Sequence, residues 1–158
     1  MRISFVAQYA SSTIPYLRGS VNDAKSFKSF LTDRLHVPDT QIQLLLNKDA
    51  TRSAILSTFQ KHLTENPEID EGDALIFFYA GHGSRIPVPG DWSATDGMIE
   101  TVCPYDERTK DEKGEDIHGI PDRSINAMFR ELAAKKGDNI VCTVTLCLTP
   151  PLPSYRHS

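Results

Sequence analysis

The chain has 158 residues, 39% of them apolar, which is one-domain length with enough hydrophobic side chains for a packed core. Its 17 Lys and Arg against 21 Asp and Glu leave a mild net charge of −4 and no basic stripe, so nucleic acid is not an implied partner. Cys103, Cys142 and Cys147 form an odd set without short paired spacing, which argues against a disulfide framework or zinc cluster and fits free thiols in a reducing compartment.

In chain order, the segment from Met1 to Gln8 is too brief an apolar run for a signal peptide, and nothing later reaches membrane-spanning length. The expectation is a cytoplasmic protein with no membrane partner. Ile3 to Ala7 predicts a short strand. Ser20 to His36 predicts a helix, because Val21, Ala24, Phe27, Leu31 and Leu35 recur at spacings of three and four. Ser20 and Asp23 have the spacing of a capping box, and Pro38 ends the run. Ile42 to Leu46 predicts a strand and Thr51 to Leu63 a second helix, with Ile55, Phe59 and Leu63 on one face.

Ala74 to Ala80 is the strongest strand signal, a continuous apolar run of the kind found where both faces of a parallel sheet are covered. From Gly81 to Gly119 the chain is rich in Gly, Pro and charge and reads as a long loop. Pro121 to Lys136 predicts a third helix, with Ile125, Met128, Phe129, Leu132 and Ala133 inward and Gly137 as its cap. Asn139 to Leu146 predicts a last strand. Strands alternating with helices imply an α/β domain over residues 1–148, and the proline-rich stretch 149–158 reads as a disordered tail.

Function in such sheets gathers at the carboxyl ends of the strands. Two places qualify. His82 follows the strongest strand between Gly81 and Gly83, either as an imidazole with room for a substrate or as an incidental histidine in a glycine-rich turn. Cys147 closes the last strand. If the two strands are neighbours, an imidazole can activate the thiol, which attacks a carbonyl far better as thiolate; the alternative is a small apolar core residue. Cys103 and Cys142, in apolar surroundings, read as structural. The other histidines show no metal-binding spacing. Asp106, Asp111, Glu115 and Asp116 do not follow an EF-hand loop, so no cofactor is expected and calcium alone is left open.

Four ordered segments resemble a known family. Leu17-Arg18-Gly19-Ser20-Val21-Asn22-Asp23-Ala24 is similar to the leucine-x-glycine-cysteine-x-asparagine-aspartate-alanine segment of metacaspases, with Ser20 in place of cysteine. Tyr79-Ala80-Gly81-His82-Gly83 resembles their serine-glycine-histidine-glycine motif. Asp96 to Asp106 is similar to the acidic segment that follows it. Ile120 to Ile140 is similar to the helix before the cysteine strand, particularly in fungal caspase-domain proteins.

The resemblance implies a caspase-like three-layer sandwich with a mostly parallel sheet and helices on both faces. It is incomplete, with about four of the family's strands and a break near the catalytic cysteine. It also implies a cysteine endopeptidase acting on peptide or protein substrates, with His82 as catalytic base and Gly83 contributing its amide to the oxyanion hole. Asp23 would line the pocket for an Arg or Lys before the cut. Counting on from Asn139-Ile140 brings Cys147 to the nucleophile's place. There the family's aspartate-x-cysteine-histidine-serine-glycine gives way to Thr145-Leu146-Cys147-Leu148-Thr149-Pro150. The second expectation is therefore an inactive caspase-like fragment that binds a full-length relative through its last strand as an open edge.

Overall fold

The structure is a computed structural model that describes residues 3–4, 9–88, 93 and 95–148, with backbone alone at 3, 4, 147 and 148. Most of the predicted first strand and all of the predicted tail lie outside the described residues. Ile3–Ser4 forms β1 and pairs in parallel with β2, Leu44–Leu45.

Ser20–Ser29 forms α1, which Phe30–Arg34 carries on as one wider turn, closed by the Leu35 amide donating to the Phe30 carbonyl at 3.3 Å. The expected capping box does not form. Gly19 is the N-cap and is already helical at φ −90° and ψ −36°, so Ser20 lies inside the first turn and is buried rather than flanking it. A side-chain cap needs an extended backbone at the cap residue. The helix also stops before His36, which turns left-handed at φ 52°.

Arg52–Phe59 forms α2, followed by a second wide turn, Gln60–Thr64. Thr51 caps it by accepting from the Ala54 amide at 3.2 Å, and the Asp106 carboxylate takes the Arg52 amide at 2.7 Å from across the chain. Asp106, weighed above as an oxygen ligand for calcium, is thus committed to a helix end.

The central strand is β3, Leu75–Pro87, with β4 at Met98–Val102, β5 at Ile120–Pro121 and β6 at Ile140–Leu148. Among the described residues the larger sheet runs β5-β4-β3-β6. β3 and β6 are parallel from Leu75↔Ile140 to Gly83↔Leu148, whereas β4 pairs antiparallel with β3 from Gly83↔Val102 to Pro87↔Met98. The sheet is mixed, with its parallel ladder between β3 and β6 at one edge.

Residues 81–119 are therefore not one loop: they hold the second half of β3, all of β4, and a tight excursion closed by an isolated pairing of Lys110 with Asp116. The charges of Arg85 and Glu100 hid this hairpin, because β4 meets β3 where one side of the ribbon is solvated.

Alternation along β3 explains its apolar run. Leu75, Phe77 and Tyr79 pack with Ile55, Phe59, Leu63 and Leu132 on one face. Phe78 and Ala80 pack with Ala24 and Leu31 of the α1 segment on the other. Asp122–Lys136 forms α3, whose Leu132 is fully buried with Ile125, Met128 and Phe129 packed around the same core. Gly137 ends it at φ 84°, as its cap position requires. Helices thus cover both faces of β3, giving three layers.

β6 is covered less. Val141, Val144 and Leu146 are 52%, 40% and 39% exposed, and Cys142 is exposed rather than embedded in apolar surroundings as expected. Ile140 packs against the core, and the side chains after it face solvent more than those of β3 do.

Replacing Leu132 by Ala removes a fully buried side chain from the shared core and is expected to lower stability by about 2–5 kcal/mol. Val144→Thr on the exposed edge is expected to change it by less than about 0.5 kcal/mol. Chemical denaturation midpoints of the two variants check both.

Candidate active site

β3 changes partners along its length. β6 pairs with it up to Gly83, and β4 pairs with it from Gly83 onward. His82 and Gly83 stand at the hand-over. His82 is in register with Cys147 of the neighbouring parallel strand, and Gly83 with Leu148 on one side and Val102 on the other. Three of the four site residues read from the sequence therefore meet at one place in the sheet. Asp23 belongs to another element, the first turn of α1, where it is exposed.

The flanking glycines do not make a sharp turn: neither Gly81 nor Gly83 has a left-handed backbone, and the strand runs straight through them. Gly81 is needed for a different reason. A Cβ there would lie 2.4 Å from the Tyr79 hydroxyl oxygen and 2.7 Å from its Cζ. The Tyr79 side chain lies across its same-face neighbour, and only glycine leaves the space.

His82 is 2% exposed, so each of its polar atoms needs a partner. Its amide donates to the Tyr9 hydroxyl at 2.7 Å, and its carbonyl accepts the Cys103 amide at 3.0 Å. Nε2 lies 2.8 Å from the Pro15 carbonyl oxygen. A carbonyl only accepts, so Nε2 must carry the proton, and in the neutral ring Nδ1 is the basic nitrogen. The Tyr9 ring packs beside the imidazole at 5.2 Å between centroids.

Behind His82 lies a pocketed acid. Glu107 and Cys103 are each 2% exposed, and the Glu107 Oε2 has no hydrogen-bond partner. Burial pushes the Glu107 carboxyl above the ordinary carboxylate range; a hydrogen bond with the Cys103 thiol and the charges of Arg108, His118 and His82 pull less strongly the other way. Burial, then the Glu107 charge, raises the Cys103 thiol in the same manner, so Cys103 is a poor nucleophile.

Sequence reasoning missed Tyr9, Pro15, Tyr79 and Glu107. Pro15 acts through its carbonyl, which carries no sequence signal. Tyr79 did offer one: a large polar-tipped side chain two residues before a glycine on the same strand face. Among the described residues no three His, Cys, Asp or Glu side chains gather as a metal site. Asp111 accepts the amides of Lys113 and Glu115, and Asp116 pairs with Lys110, so these carboxylates hold their own loop together.

Because the folded-state pKa of Glu107 is raised, its contribution to stability is complete below the ordinary Glu value of about 4.3 and is lost as pH rises through the folded value. Glu107→Gln has no such proton to lose. Melting curves from acidic to neutral pH are expected to show the wild type weakening relative to the variant, with the gap levelling off once the acid is ionised. Parallel curves would refute the assignment.

A family model described as "Metacaspase, peptidase C14 domain" matches residues 3–148. Metacaspase-3 of Arabidopsis thaliana is 30% identical over 101 residues, covering 60% of this chain and 26% of that protein. Metacaspase-1 of Mycosarcoma maydis is 29% identical over 116 residues, covering 69% and 28%. Protein GSU0716 from Geobacter sulfurreducens, a crystal structure, superposes with a TM-score of 0.59 at 19% identity over 90% of this chain and 48% of that one. At that identity the likeness speaks for the fold alone. The chain spans about a quarter of the length of these curated relatives.

Proposed function

This chain belongs to the metacaspase family, peptidase C14, a family of caspase-like cysteine peptidases, and on that footing we propose that it is a cysteine-type endopeptidase domain with Cys147 as nucleophile and His82 as base. One observation carries the reading: His82 and Cys147 are register partners at the hand-over point of the sheet, with the imidazole proton held on Nε2 by Pro15.

In this reading His82 Nδ1 takes the Cys147 thiol proton as sulfur bonds to the scissile carbonyl carbon, and the carbonyl electron pair moves to oxygen. The C–N bond then breaks, and the amine leaves with the proton that His82 returns. A water repeats the sequence on the thioester: His82 takes its proton, the acid is released, and the thiol is restored. The balance closes without a metal or redox cofactor.

The Gly83 amide is the proposed oxyanion donor. In the resting sheet Gly83 is paired with Leu148, so the role requires Leu148 to give up that pairing when substrate enters. Asp23, exposed on α1, is the acid proposed to select Arg or Lys before the cut, since Thr145 stands two residues before the cysteine where the family has a second acid.

A second reading, an inactive caspase-like domain that binds a longer relative, draws on the exposed apolar side chains of the β6 edge. Fluorogenic peptides ending in Arg, Lys or Asp separate the two. Cleavage after Arg or Lys, reduced at least a hundredfold by Cys147→Ala and by His82→Ala and reduced about tenfold by Asp23→Asn, is the expected result. A folded protein that cleaves none of them, with or without calcium, favours the second reading.

A further inference from the structure

Two phenols beneath His82, one buried and one half-buried, have no part in the chemistry above. Tyr79 is fully buried, and its hydroxyl oxygen lies 3.0 Å from the His82 carbonyl oxygen and 2.9 Å from that of Cys103. Tyr9 accepts the His82 amide at 2.7 Å.

A phenol owns one proton and two lone pairs. The Tyr9 oxygen accepts the His82 amide, and the Tyr79 proton goes to a carbonyl. The two phenols thus hold the His82 main chain at both ends, Tyr9 at its N–H and Tyr79 at its carbonyl and at that of Cys103 beside it. The sheet cannot do this by itself, because the β4 ladder starts only at Gly83 and offers the His82 amide nothing.

An apolar ring at position 79 would fill the same volume, but only the hydroxyl reaches the two carbonyls, and the chain keeps Gly81 to let it pass. We propose that Tyr79, acting with Tyr9, is a positioning residue for His82, holding its main chain where Nε2 meets the Pro15 carbonyl and Nδ1 is left as the base. The role rests on the reading of His82 as the base for Cys147.

The test uses the full chain labelled with nitrogen-15 and reads the His82 ring directly, its signals assigned by their loss in His82→Asn. The wild type is expected to hold one neutral form, protonated on Nε2. Tyr79→Phe, folded by circular dichroism, is expected to show both tautomers in exchange and a Cys147 alkylation by iodoacetamide about tenfold slower, followed by peptide mapping so that Cys142 does not interfere. A folded Tyr79→Phe chain with the wild-type ring spectrum overturns the proposal. Should that variant not fold, Tyr9→Phe takes its place, since it removes the hydroxyl that accepts the His82 amide; an unchanged ring there overturns it equally. If His82→Asn leaves the alkylation rate of Cys147 untouched, the paired-residue reading falls, while the ring spectrum still decides the role of Tyr79.

Discussion

The parallel ladder between β3 and β6 is the constraint on which the rest depends. It runs from Leu75↔Ile140 to Gly83↔Leu148, and each pair in it fixes the next. A slip of one residue would turn every side chain of β6 to the opposite face, and would set His82 against Leu146 or Leu148 instead of Cys147. The helices on either face hold that register indirectly. They bury Phe77 and Tyr79 on one side and Phe78 and Ala80 on the other, so β3 itself cannot slide or flip.

The architecture was legible where one side chain pattern served one structural demand. The apolar run from Ala74 to Ala80 announced a strand buried on both faces, and the three-and-four spacing in each helix announced which residues turn inward. Gly137 announced a helix end, and it adopts the positive φ that the end demands. Legibility failed where a residue serves two demands. Arg85 and Glu100 belong to strands but face solvent, so the β3–β4 hairpin read as loop. Ser20 had the identity of a cap and the environment of a core residue, and the packing decided.

The same division runs through the site. The place that His82, Gly83 and Cys147 share in the sheet was legible because their spacing follows the strands that carry them, and the ordered blocks around them match one family. The groups that hold His82 were not legible, since two of them, the Pro15 carbonyl and the Cys103 amide, are main-chain groups whose positions depend on the tertiary fold. Pro15 acts through an oxygen that every residue possesses, and Glu107 lies in a charged loop whose Lys110, Asp111 and Glu115 face solvent. An imidazole gripped at its ring, its amide and its carbonyl has little freedom to wander, which is the condition under which a single basic nitrogen can be presented reproducibly.

Tyr79 and Gly81 also constrain how this sequence can change over time. Any side chain at 81 collides with the phenol, and the loss of the hydroxyl alone leaves ring carbon Cζ 2.7 Å from a new Cβ. Position 81 therefore opens only after position 79 has given up its ring. That first step takes the phenol's proton from the His82 and Cys103 carbonyls, so the pair can be exchanged in one order and only through a weakened intermediate. Tyr79 therefore requires Gly81, whereas Gly81 does not require Tyr79.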